Sequence, residues 1–100
     1  MFVDYVAACD NFRYRYYGPG IVAVAGFDMT DRFVTDFDSE VGRFFVRTYR
    51  KCIDEKILIY SEHARVHARV DCNWQRLLCP VQDGDSTYVV VCNVPINIRD

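Results

Sequence analysis

One hundred residues make one domain, long enough to bury about two thirds of the surface an unfolded chain exposes without disulfide or metal staples. With 51% hydrophobic and 26% charged residues, the composition is that of a globular chain and excludes intrinsic disorder. A formal charge of −2, from 12 basic and 14 acidic residues, supplies no positive field for a phosphate backbone and argues against nucleic acid.

Phe2 to Cys9 and Phe12 to Tyr17 are rich in aromatic and β-branched residues and are separated by the turn-forming pair Asp10-Asn11, which predicts a first hairpin. Gly18-Pro19-Gly20 breaks the strand, Ile21 to Ala25 predicts one or two helical turns stopped by Gly26, and Phe27 to Phe37 is irregular or short-helical. From Asp38 the period changes. Val41, Phe44, Phe45, Thr48, Tyr49, Cys52 and Ile53 recur at helical spacing, predicting one long amphipathic helix. Asp38 or Ser39 is expected to cap it, Gly42 to weaken it by roughly 1 kcal/mol relative to Ala, and Arg43, Arg47, Arg50 and Lys51 to lie off its apolar face, the later ones suiting the negative end of the helix dipole.

Ile57 to Ser61 predicts a strand, and Arg65-Val66-His67-Ala68-Arg69-Val70 alternates strictly, as a strand with one wet and one dry face does. Carried forward, that parity places Val66, Ala68, Val70, Cys72, Trp74, Arg76 and Leu78 inward and His67, Arg69, Asp71, Asn73 and Gln75 outward. Trp74 to Pro95 then forms a hairpin across Asp83-Gly84-Asp85-Ser86, with Pro80 expected to end its first strand by withdrawing a donor. The result is an α+β chain, an antiparallel sheet with its helices gathered on one side.

Cys9, Cys52, Cys72, Cys79 and Cys92 are odd in number, contain no C-x-x-C pair and mostly have apolar neighbours, so they read as reduced thiols in a cytoplasmic protein. No apolar run approaches the roughly 20 residues that span a bilayer, and Met-Phe-Val-Asp-Tyr lacks the basic start of a signal peptide.

The order of elements resembles a PAS domain over nearly the whole chain. Tyr14-Arg15-Tyr16-Tyr17-Gly18 followed by Gly26-Phe27-Asp28-Met29-Thr30 resembles the bacterial PAS subgroup with an R-x-x-G strand end and a G-x-D-x-T-G motif, Asp31 replacing the final glycine. Leu77-Leu78-Cys79-Pro80-Val81 is similar to that group's L-L-x-P-L, Gly84-Asp85 to its following turn, and Asn97-Ile98-Arg99-Asp100 to the start of its linker. The resemblance implies a five-stranded sheet in the order 2-1-5-4-3, short helices and one longer helix over one face, and a ligand cavity between them. It further implies a module cut from a longer signalling protein, with a kinase or cyclase effector following; a short standalone protein is the alternative. Met29 stands where the flavin-binding light-oxygen-voltage branch carries its reactive cysteine, and a thioether forms no cysteinyl-flavin adduct. Non-covalent flavin binding stays open.

In that arrangement Phe45, Tyr49, Trp74, Arg76, Leu78, Val89, Val91 and Asn93 are the candidate pocket residues. A buried guanidinium or amide is costly unless paired, so Arg76 and Asn93 need a carboxylate, a carbonyl or a ligand. The commoner fate is pairing with a nearby Asp or emergence at the sheet rim. His63 and His67 have the spacing of helical metal or haem ligands, but on a strand they stand roughly 13 Å apart, too far for one metal. Both are expected outward, in solvent. The alternation of Arg13 and Arg15 with Phe12, Tyr14, Tyr16 and Tyr17 lacks the glycine-aromatic consensus of RNA-recognition sheets and reads as a two-faced strand. Asp28, Asp31, Asp36, Asp38 and Glu40 cluster around a helix start and are assigned structural roles.

Leu77, Cys79, Tyr88, Val90, Cys92 and Val94 face outward and are too apolar to stay wet. With no helix preceding Phe2 to cover them, they predict a homodimer through the sheet. The functional expectation is a sensory module without catalysis, binding a small ligand or merely dimerising. Two alternatives are a small α+β enzyme of hot-dog or cone-shaped type using a carboxylate from the Asp28 to Glu40 region, and a protein-interaction module with a filled core.

Overall fold

A computed structural model of the chain describes residues 1–37, 39–64 and 71–99. Phe2–Val6 (β1) and Asn11–Tyr16 (β2) pair antiparallel as the first hairpin. Ala7–Cys9, expected to extend the first strand, instead make a 3-10 turn, because the reversal closes through Asp10 in the left-handed region at φ 49°, which a short polar side chain tolerates. Pro19–Ala25 (α1) stops at Gly26, whose N–H returns to the Val22 carbonyl at 2.8 Å. A second 3-10 turn, Val34–Asp36, leads to the long helix Ser39–Glu55 (α2).

The helix buries Phe45, Tyr49 and Cys52, as its period predicts. Gly42 has a local reason. A Cβ there would lie 3.3 Å from the Val34 carbonyl oxygen and 3.4 Å from Thr35 Cα, so the preceding turn packs directly on the helix backbone. The dipole argument fails at the other end: the last turn contains no basic residue and finishes on Asp54 and Glu55. The cap expected from Asp38 or the Ser39 side chain lies outside the described residues.

Ile59–Ala64 (β3), Asp71–Asp83 (β4) and Ser86–Arg99 (β5) complete one five-stranded antiparallel sheet in the order β2-β1-β5-β4-β3. Val66, His67, Ala68, Arg69 and Val70 lie outside the described residues. The turn between β4 and β5 is tight, Asp83 facing Ser86, with Gly84 at φ 59° where an L side chain is strained. Pro80 does not end β4; it sits inside it opposite Val89. β3 reaches only Leu78, so beyond that point β4 has a single neighbour and tolerates a residue without a donor.

With α1 and α2 over one face, this is a PAS-like α+β fold. The motif's missing glycine is explained locally: Asp31 takes φ 66°, the left-handed conformation a glycine would supply, and its N–H donates to the Tyr14 carbonyl at 2.7 Å. The core between sheet and helices is built from Phe12, Tyr14, Val34, Tyr49, Leu78, Val89 and Val91, each at most 2% exposed.

Candidate functional site

Antiparallel partners share a face, so the register lays out the inner surface of the sheet in rows. Ile59, Leu78 and Val91 form an apolar row; Ser61, Arg76 and Asn93 form the next, polar one; His63 and Trp74 lie beyond. Arg76 is thus held at the middle of β4 under the helical layer, and it is 2% exposed. Neither fate expected of it occurs. It does not reach the rim, and none of the ion pairs among the described residues includes it.

Neutral groups hold the guanidinium instead. Nε donates to Asn93 Oδ1 at 3.2 Å, Nη2 donates to the Tyr49 hydroxyl, and the group lies over the Phe45 ring at 4.6 Å and the Tyr49 ring at 5.3 Å. The Tyr49 hydroxyl lies 3.4 Å from that of Tyr14. Nη1 is buried with no hydrogen-bond partner among the described residues. A desolvated cation without an anion is unfavourable by several kcal/mol, which two neutral hydrogen bonds and two ring contacts offset only in part.

Beside Arg76 lies a cavity of about 40 Å³. His63, Trp74, Arg76 and Asn93 form its sheet wall, and Tyr14, Tyr17, Phe27, Phe37 and Phe45 an aromatic wall, with Ile21 and Ala25 of α1 closing one side. The rings brace one another: Tyr14 meets Tyr17 edge-on at 5.1 Å, and Phe37 meets Phe45 at 5.5 Å and Phe27 at 5.9 Å. Three buried polar atoms without partners among the described residues belong to the sheet wall: Arg76 Nη1, Asn93 Nδ2 and His63 Nδ1. Burial, and then the Arg76 charge, push the His63 imidazole down to about 4, so it is neutral at neutral pH. Burial raises Tyr14 and Tyr17 above the ordinary phenol range, so both keep their protons. Arg76 is the one charged side chain among those lining the cavity, and the Met1 ammonium, which donates to the Val91 carbonyl at 2.7 Å, lines it as well, its pKa lowered chiefly by burial.

Of the residues predicted for the pocket, Phe45, Trp74, Arg76 and Asn93 line this cavity. Tyr49 stands behind them as the acceptor for Arg76, while Leu78, Val89 and Val91 fill the core farther along the sheet. His63 corrects the sequence reading. It was expected in solvent, yet it is half-buried and on the cavity wall, because it belongs to β3, where it pairs with inward-facing Trp74. The aromatic wall was missed. Its one legible sign is on β2, where Phe12 and Tyr14 are buried and Arg13 and Arg15 exposed.

Two residues of the acidic cluster hold local turns. Asp28 accepts from the Thr30 N–H at 2.9 Å and hydroxyl at 2.7 Å, and Asp36 accepts from the Phe33 N–H at 3.2 Å. Among the described residues no group of His, Cys, Asp and Glu is placed to hold a metal, and no helix is long and apolar enough to cross a membrane. A wider depression of about 650 Å³ lies along the outside of α2 among Arg43, Arg47, Lys51 and Asp54, and has no buried unpartnered polar atom.

On the opposite face of the sheet, Leu77 is 40% and Val94 51% exposed; Cys92 is also exposed, and Cys79, Tyr88 and Val90 are half-buried. Arg15, paired with Asp4 through Nε at 3.1 Å, lies over the Tyr88 ring at 4.5 Å and shields one end of the patch.

No protein-family model matches the chain, and a search of curated proteins returns no match. Among solved structures the chain is similar to a domain of an HTR-like protein from Haloarcula marismortui, with a TM-score of 0.67 at 13% identity. The likeness covers 96% of this chain and 97% of that domain, and it supports the fold.

Proposed function

We propose that this domain is a PAS-like sensory or regulatory module that binds a small ligand in the cavity between sheet and helices and passes the change to an effector domain. It works by binding and carries out no chemistry of its own. One observation carries the reading: Arg76, buried on the inner face with no carboxylate partner among the described residues, sits beside a cavity where Asn93 Nδ2 and His63 Nδ1 also lack partners among them. A buried cation maintained in that state is a poor choice for stability alone, since an apolar residue of similar volume would pack at no charge cost. A ligand would shift the module only through its differential affinity for two packings of sheet and helices, and a group under α2 that touches β3, β4 and β5 neighbours is well placed to supply it.

The proposal includes a second copy of the chain on the outer face. Leu77, Cys79, Tyr88, Val90, Cys92 and Val94 form an apolar surface on the long β4–β5 hairpin, and a two-fold related copy would cover it with the same residues. Native mass spectrometry of freshly purified protein tests both parts together. The expected result is a dimer mass with an added small-molecule mass that is lost on denaturation. Bare monomer at high concentration, with no mass gained on exposure to a metabolite mixture, would overturn the proposal.

A further inference from the structure

The charge and the donors around the cavity restrict what it takes, on the ligand-binding reading given above. We infer that the ligand is a small carboxylate of about the size of acetate or propionate, its head held by Arg76 Nη1 and Asn93 Nδ2 and its tail against the aromatic wall.

Arg76 brings a positive charge, the Met1 ammonium lines the same cavity with its pKa lowered mainly by burial, and none of the ion pairs among the described residues includes Arg76. The charges that line the cavity are positive, so an anion compensates them and a cation is excluded. Water or a neutral carbonyl compound would satisfy hydrogen bonds and leave the cation unpaired.

The donors point the same way. A guanidinium has no acceptor, so the Asn93 oxygen must be the atom that faces Arg76 Nε, and this fixes the amide NH2 as the free end. Nη1 and Nδ2 are therefore both donors without acceptors, in residues lining the same cavity. A planar head with two oxygens accepts from both, and charge-assisted bonds of this kind are the stronger sort. Neutral His63 donates from Nδ1 in one tautomer, which suits a third contact to the same head.

Size and polarity set the rest. A volume of about 40 Å³ holds on the order of three water-sized groups, which matches a carboxylate with one or two carbons attached. Rings make up most of the remaining lining, so the tail is apolar.

The chain contains one tryptophan, Trp74, and it lines the cavity, so its emission reports occupancy. The test titrates the whole chain at neutral pH with sodium acetate and propionate, and with acetamide and propionamide, at ionic strength held constant with sodium chloride. The expected result is a saturable change in Trp74 emission and a raised melting temperature with the carboxylates, at least about tenfold weaker with the amides. Arg76→Gln should abolish the response, and Asn93→Ser, which disturbs the core less, should weaken it several-fold. Equal responses to carboxylate and amide would overturn the carboxylate assignment and leave the ligand-binding reading intact, as would a neutral molecule found bound by native mass spectrometry. Silence from every compound, with no bound mass in the purified protein, would overturn both.

Discussion

Leu77 and Leu78 are adjacent in β4 and live in different surroundings: Leu78 is fully buried beneath the helices, and Leu77 is 40% exposed on the other side of the same sheet. The two faces of the β4–β5 hairpin carry the contrast further. The inner face, which should be the greasier, holds Arg76 and Asn93 in its middle row, while the outer face, which should be the wetter, presents Leu77, Val90, Cys92 and Val94. Each face thus departs from burial logic, and in opposite senses. A polar group inside and an apolar patch outside are the two informative exceptions to hydrophobic sorting. On the proposed function, the first face takes a small molecule and the second a partner copy.

The largest effect expected from breaking this contrast is at the ordinary core. Leu78→Ala should cost about 2–5 kcal/mol in urea denaturation, whereas Leu77→Ala should cost the monomer less than about 1 kcal/mol. Similar losses at the two positions would mean that the faces are not distinct.

Arg76 sharpens the comparison because the expected sign is reversed. In carboxylate-free buffer, Arg76→Met should leave stability unchanged or raise it by about 1 kcal/mol, since it removes a buried cation without an anion, while it eliminates the Trp74 response. A loss of several kcal/mol would make the arginine a structural clamp through Tyr49 and Asn93.

His63 gives a smaller, pH-dependent effect. Its folded value of about 4 lies below the ordinary histidine value, so on acidification the unfolded chain takes up the proton first. Stability should therefore fall as pH drops from about 6.5 toward 4 and not change further on this account below that. The imidazole is partly open to solvent, so the loss should be on the order of 1 kcal/mol, read as the difference between wild type and His63→Gln across that range. Parallel pH curves for the two proteins would show that His63 faces solvent after all.

On the outer face, Leu77→Lys and Val94→Lys should change monomer stability by less than about 0.5 kcal/mol and shift a sedimenting dimer to monomer at the same concentration. Unchanged sedimentation would remove the outer face from the association proposal.

Much of this arrangement is legible in the sequence, for identifiable reasons. A period of two fixes a face, so Cys72, Trp74, Arg76 and Leu78 were placed inward from alternation alone, and all four are buried. The strand order came from resemblance, since alternation carries no information on which strands are neighbours. His63 was misplaced because parity belongs to one strand at a time: the β3–β4 register sets odd-numbered His63 opposite even-numbered Trp74. Phe27 and Phe37 were illegible as cavity residues because they lie in connections without a period. Pro80 misled because the rule that proline ends a strand holds only where both sides are paired.

The most direct test is a high-resolution crystal structure of the chain grown in propionate. The account predicts non-protein density within hydrogen-bond reach of Arg76 Nη1 and Asn93 Nδ2, with the density's other end against the cavity's aromatic rings. Arg76 turned to the sheet rim, or paired with a carboxylate of its own chain and the cavity closed by a side chain, would contradict it.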